Sequence, residues 1–193
     1  MTNNTNSAII RAARQVFITH GYKRTNMSLI SKQSGFSRVT IHKHLKNKDD
    51  AFRKSIQQVL VESQQACQPI LEEAKHDLPC WLAIENLLQE WVTPVFEEVA
   101  DHLKLQELKY HAQEIASDLF TDAHNAIENM ITGVLVSAVQ NKKINLDSIA
   151  LNESQLATLI VSGMSGLHAR PDIVNTRQIK RDLIKVFEVA TAI

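Results

Sequence analysis

Apolar positions recur every three to four residues along most of the chain, and no stretch alternates with period two over a strand's length. The pattern therefore predicts helices and no sheet. A first helix is expected from a Ser7 cap to a stop at Gly21, with Ile9, Ala13, Val16 and Phe17 on one face and frayed polar residues before it. Two short helices follow. Asn26 can cap the first, in which Met27 and Ile30 repeat at helical spacing, and Gly35 suits a left-handed residue that ends it. Ser37 caps the second, whose Ile41 and Leu45 form an apolar edge opposite Arg38, Thr40, Lys43 and His44. Helices this short do not stand alone in water, so the apolar edge is packed and the polar edge faces outward. Phe36 is placed to plug the small core beneath them. Two such helices about a glycine-bearing turn make a helix-turn-helix, whose second helix enters the DNA major groove. A plain helical hairpin with a solvated cationic face fits the same pattern.

Downstream, Asp49 and Asp50 open a long helix to about Cys67, with Phe52, Ile56, Val59 and Leu60 inward. Residues 69–145 hold further amphipathic segments. Pro69 and Pro79 suit first helical turns, Pro94 breaks or kinks the run LAIENLLQEWVT, and two segments run near Leu103–Ala116 and from Ser117 to Asn141. Apolar residues there exceed what one face requires. Either the aromatics fill a core, or some line a ligand cavity: Trp91, Phe96, Tyr110 and Phe120 as walls, His111 and His124 as polar anchors. Asn152 caps a helix from Glu153 to His168 bearing Leu156, Leu159, Ile160, Met164 and Leu167, with Gly163 and Gly166 admitting a close neighbour. After Pro171, Asn175 caps Thr176–Thr191, where Ile179, Leu183, Val186 and Phe187 are in register. These two apolar surfaces would pair with a symmetry mate as a four-helix bundle, making a homodimer, or else close a core within the chain.

Zero net charge over 193 residues would ordinarily argue against a nucleic-acid partner. The distribution reverses that. Residues 1–54 carry eleven Lys or Arg against Asp49 and Asp50, a net +9, and the remainder holds ten cations and nineteen anions, a net −9. A basic head on an acidic body marks a nucleic-acid-binding segment. Cys67 and Cys80, the only cysteines, have neither a CxxC spacing nor a His partner, so reduced thiols are expected, with redox sensing the lesser reading. No cofactor motif, signal peptide or bilayer-length apolar run is present, so a cytoplasmic protein is expected.

The order Ile-x-x-Ala-Ala-x-x-x-Phe-x-x-x-Gly-Tyr-x-x-Thr, then the helix-turn-helix, then Lys-Asn-Lys-Asp-Asp, resembles the DNA-binding domain of TetR-like transcriptional regulators over about residues 8–52. Ile10, Ala13, Phe17, Gly21, Tyr22, Thr25, Met27, Ile30, Gly35, Ser37, Thr40, His44, Lys46 and Lys48 carry the resemblance. The chain departs from that pattern at Ser31, where Ala is usual, at His42, where Tyr is usual, and at Leu45, where Phe is usual. His42 thus replaces a common phosphate-contacting phenol.

Chemistry then assigns roles. The Arg38 fork matches guanine O6 and N7, Lys43 suits a base or a phosphate, and Val39 a thymine methyl. Ser28, Thr40, His42, His44 and Lys48 suit phosphates, with backbone N–H groups after the Asn26 and Ser37 caps adding anion contacts. His42 and His44 diverge on a helix and cannot chelate a metal together. The resemblance implies an all-α fold with a DNA-binding domain over 1–50 and a helical ligand-binding and dimerisation domain over 51–193, joined by a helix rather than a flexible linker. It implies a repressor released from operator DNA by a small-molecule inducer. A ligand-independent DNA-binding or protein-interaction module is the rival, and an enzyme is not expected, since acidic pairs such as Glu72/Glu73 and Glu97/Glu98 fall on outward positions and no cofactor motif appears.

Overall fold

In the computed structural model, residues 2–97, 99–168 and 176–193 are described, without the side chains of 2, 3, 92–97, 165–168, 176, 177 and 180. Among the described residues there are eight α-helices, one short 3-10 turn and no strand. The helices are α1 (Thr2–Arg24), α2 (Met27–Ser34), α3 (Arg38–His44), α4 (Lys48–Ala74), α5 (Cys80–Glu97), α6 (His102–Gln140), α7 (Glu153–His168) and α8 (Thr176–Ala190). The chain is all-α. Its packing divides it into two compact units, residues 1–63 with 92–121, and residues 64–91 with 122–193.

The first unit is built around α1. The helix begins at Thr2 rather than at Ser7, so Ser7 is an interior residue and not its cap. It breaks at Gly21, whose φ of 76° and ψ of 173° lie where only glycine is comfortable, and one further helical turn follows to Arg24. Buried Thr25 fastens this corner through its hydroxyl, which donates to the Gly21 carbonyl at 2.6 Å. Ile9, Ala13, Val16 and Phe17 of α1 bury against Ile30, Ile41, Leu45, Ala51, Phe52 and Ile56 in one core. Phe36 is half-buried against it. Phe52 packs on Phe17 with ring centroids 4.7 Å apart and edge-on to Tyr22 at 5.1 Å.

α4 starts at Lys48 and runs on to Ala74, past the expected end at Cys67. Asn47 caps it, its side-chain oxygen accepting the Asp50 N–H at 2.8 Å. Pro69 therefore lies inside α4 and not in a first turn. Having no N–H, it cannot donate to the Gln65 carbonyl four residues back, and the helix nonetheless continues to Ala74. Pro79, by contrast, does precede a helix, its carbonyl accepting the first bond of α5 from Ala83 at 2.9 Å. α6 is two arms rather than one rod, because its backbone leaves helical geometry at Ala116 (φ −140°, ψ 27°), between the two segments expected there.

In the second unit, Ile84, Leu87, Ile127, Ile131, Leu135, Leu156 and Ile160 are fully buried. Asn152 and Gln155 cap α7 reciprocally, each side chain accepting the other's backbone N–H at 2.8 and 3.0 Å. A methyl placed on Gly163 would stand 3.3 Å from the Leu183 side chain, so this glycine does admit α8 closely. Ile184 is the most buried described side chain of α8, whereas Val186 turns outward. Pro94, Gly166, Leu167, Pro171 and Asn175 fall outside the described residues or side chains.

Candidate nucleic-acid interface

The expected helix-turn-helix forms as α2, a turn and α3. Asn26 accepts the Ser28 and Leu29 N–H groups, both at 3.0 Å. Gly35 adopts φ 72°, ψ 0°, the left-handed conformation that lets the chain reverse without a Cβ clash. Ser31, where the family pattern has Ala, donates its hydroxyl to the Phe36 carbonyl at 2.7 Å, adding a bond inside the turn. Ser37 accepts the Thr40 N–H at 3.1 Å, and its hydroxyl lies 3.0 Å from that of Thr40. Three of the early N–H groups of the two helices are thus taken up by caps rather than offered outward.

Burial of Ile41 and Leu45 fixes the rotation of α3. That leaves Arg38, Val39, His42 and Lys43 exposed together on its outer face, with Thr40 and His44 half-exposed. Val39 is 69% exposed, which places a bare apolar group in the middle of a basic face. The Arg38 guanidinium donates to Ser28 Oγ at 2.6 Å, bracing α3 to α2 at the rim of that face. Lys48 is held differently. Its ammonium lies 4.1 Å above the Tyr22 ring and 3.4 Å from the Tyr22 carbonyl, a partly buried cation–π contact at the edge of the head. The opposite end of α3 is secured by Lys54, which donates to the His44 carbonyl at 2.7 Å and to Asp50 at 2.9 Å. Asp50 also accepts the Lys46 N–H at 2.9 Å, and these donors hold its carboxyl below the usual range against the opposing effect of burial. Neither the Asn47 cap nor the Lys54 clasp was expected from the sequence. Asn47 three residues before Asp50 was the local signal for the cap.

Tyr22 is the joint of the unit. Its hydroxyl donates to Asp49, and its ring stacks on His111 of α6 with centroids 4.0 Å apart. Burial first, then the bond to Asp49 and the charges of Asp49 and Glu114, push its phenol well above the usual range.

Of the six residues expected at a ligand pocket, Tyr110, His111 and Phe120 lie in the first unit and Trp91 and His124 in the second. Phe120 lines a cleft of about 50 Å³ within the first unit, together with Phe17, Phe52, Val99, Leu108 and Ala112. His111 is spent on the Tyr22 stack, its Nδ1 3.2 Å from Glu114. Tyr110 is 62% exposed, its hydroxyl bonded to Glu114 at 2.9 Å, and so faces away from any core. His124 lies on the surface beside Glu128 at 3.2 Å. Trp91 is buried in the second unit, and the Phe96 side chain lies outside those described. Among the described residues no three His, Cys, Asp or Glu side chains are arranged to hold a metal ion, and no helix is long and apolar enough to cross a membrane.

A three-helix head whose short third helix presents a basic outer face is the architecture of a helix-turn-helix DNA-binding protein. Residues 9–54 match the family model described as bacterial regulatory proteins, tetR family. Over this segment, about a quarter of the chain, the protein is similar to the DNA-binding domain of that family. It is 29% identical over 102 residues to the helix-turn-helix-type transcriptional regulator YfiR of Bacillus subtilis strain 168, a match covering 53% of this chain and 47% of that protein. The chain thus spans about half the length of the curated relative it matches. Among solved structures, a TetR transcription regulator from Haloarcula marismortui superposes with a TM-score of 0.76 at 16% identity, covering 99% of this chain and all of that one. SmeT, the repressor of the Stenotrophomonas maltophilia multidrug efflux pump SmeDEF, superposes with a TM-score of 0.67 at 16% identity, covering 97% and 90%. At these identities the structural likenesses establish the fold.

Proposed function

We propose that the chain is a ligand-responsive, sequence-specific DNA-binding transcriptional regulator, a repressor that a small-molecule inducer releases from its operator. One observation carries the reading. The Ile41–Leu45 anchor turns Arg38, Val39, His42 and Lys43 outward as one basic, apolar-centred strip sized for a major groove. Arg38, Val39 and Lys43 read base edges, while Asn26, Ser28, Ser37, Thr40, His42, His44 and Lys48 set register on phosphates.

The division of labour falls near residue 50, between the helix-turn-helix head and a ligand-binding and dimerising remainder. The protein acts in the cytoplasm as a homodimer through α7 and α8, whose exposed Leu159, Val186 and Val189 supply an apolar surface for a second copy. Two heads one duplex turn apart, about 34–36 Å, would then grip a near-palindrome. SmeT, a neighbour of the same fold, has been solved in complex with triclosan. Coupling of about 1–3 kcal/mol between ligand and DNA would change operator affinity some 5–150-fold.

The test is a gel-shift titration against a promoter library, with and without metabolite mixtures, comparing wild type with Arg38→Ala and Lys43→Ala. Selective binding lost in the variants supports the reading. Selective binding that no mixture alters favours a ligand-independent regulator, and no selectivity at near-physiological salt removes the DNA reading altogether.

A further inference from the structure

Ser28 and Arg38 each sit in the first turn of a helix, α2 and α3, and a cap holds each turn in place. Asn26 accepts the Ser28 N–H, which fixes the backbone there and leaves the Ser28 hydroxyl over. Ser37 accepts the Thr40 N–H and so fixes the turn that Arg38 begins. Across the gap between the two helices, Arg38 Nη2 donates to Ser28 Oγ at 2.6 Å, although both residues are exposed.

Counting donors shows what this contact leaves available. A guanidinium carries five N–H groups in a rigid planar fork. Reading guanine O6 and N7 takes two neighbouring donors on one edge of that fork. Whichever Nη2 hydrogen goes to Ser28, one complete edge remains, either Nη1 with Nη2 or Nε with Nη2. The Ser28 hydroxyl, acting as acceptor towards Arg38, still has its own proton to donate. An unbraced arginine spreads over many rotamers and gives up that freedom on binding, whereas a pinned fork has given it up beforehand.

We propose that Ser28 is a positioning residue for base specificity, aiming the free edge of Arg38 at one guanine of the half-site while its own proton goes to a backbone phosphate. The hydroxyl then ties the base contact to the register contact. A guanine shifted along the duplex meets no donor edge. This role rests on the DNA-binding reading above and names how its specificity is set.

The test is selection from a random duplex pool with the full chain, for the wild type, Ser28→Ala, Ser28→Thr, Arg38→Ala and the Ser28→Ala/Arg38→Ala double variant. Alanine suits a helix and leaves the backbone bond to Asn26 intact, so Ser28→Ala is expected to fold and melt as the wild type does. It is expected to lower the preference for guanine at one position of each half-site about tenfold, within what a bidentate arginine contributes. Preferences at other positions are expected to persist, as is the salt dependence of affinity, since no charge is lost. Ser28→Thr keeps the hydroxyl and is expected to keep the preference. Arg38→Ala is expected to lack it, and adding Ser28→Ala to that variant to change no base preference further.

A uniform loss of affinity over all sequences in Ser28→Ala, with the guanine preference intact, makes Ser28 a plain phosphate contact and overturns the proposal while the DNA-binding reading stands. A wild type that enriches no duplex overturns both. Nitrogen NMR reads the brace without DNA: the Arg38 guanidinium is expected to rotate more slowly in the wild type than in Ser28→Ala, and equal rates refute the pinned fork.

Discussion

The two left-handed glycines of the head allow a quantitative comparison. Gly35 has φ 72° and nothing within 4 Å of where a Cβ would stand, so Gly35→Ala introduces only backbone strain. For an L-residue in this region that is about 1 kcal/mol. Gly21 has a similar φ of 76°, but ψ of 173° puts it in a region used almost only by glycine, worth about 2 kcal/mol. Its new Cβ would also meet Glu107 Oε2 at 3.0 Å. That carboxylate accepts the Lys23 N–H at 2.6 Å, so displacing it costs about 1 kcal/mol more. Gly21→Ala should therefore destabilise about three times as much as Gly35→Ala, about 3 against about 1 kcal/mol. For a chain of this size these correspond to melting-point losses of about 9 and about 3 °C. Urea unfolding at one fixed protein concentration measures both. Adding Glu107→Ala should be less costly in the Gly21→Ala background than in the wild type, by about 1 kcal/mol. Equal losses at the two glycines, or a larger loss at Gly35, would refute the reasoning.

Burial pushes the Cys67 and Cys80 thiols up to about 11 and about 12, so neither should react with a disulfide reagent at neutral pH until the protein unfolds; rapid labelling of the native chain would contradict this. The Arg53 guanidinium, forked onto both carboxylate oxygens of Asp118, holds that carboxyl down at about 2, below its ordinary 3.8. Stability from a depressed carboxylate is complete above the unfolded value and lost as pH falls through the folded one. Asp118→Asn should therefore flatten the melting temperature profile between about pH 4 and 2, and an unchanged acid slope would count against the pairing.

What could be read in advance divides by distance along the chain. Asn26, Gly35, Ser37 and Asn152 each answer a requirement set within three or four residues, an orphan N–H or a positive φ, and a single residue type meets it. The turn and both short helices followed from them, as did the outward set on α3 once Ile41 and Leu45 were taken as the buried edge. Ser7 shows the limit of that logic. It is a good cap by type, yet α1 continues upstream through it to Thr2. Pro69 is similar, since propensity favours it at a helix start but α4 runs through it to Ala74. Arg53 and Asp118 are 65 residues apart, and no spacing rule pairs them. Nor could residue type alone place Tyr110 and His111, adjacent on one helix with opposite fates: one is exposed beside Glu114, the other stacked on Tyr22. Adjacent positions on a helix are separated by 100° of rotation, so the two side chains meet different surroundings.

The central claim is that α3, held by Ile41 and Leu45, reads a duplex as one of a symmetric pair. Selection from a random duplex pool at near-physiological salt, followed by sequencing, tests it most directly. The account predicts enrichment of a two-fold-symmetric site whose half-sites are centred about one helical turn, 10–10.5 base pairs, apart, with the enrichment lost in Arg38→Ala/Lys43→Ala. Recovery of an unenriched pool by the wild-type protein would contradict it.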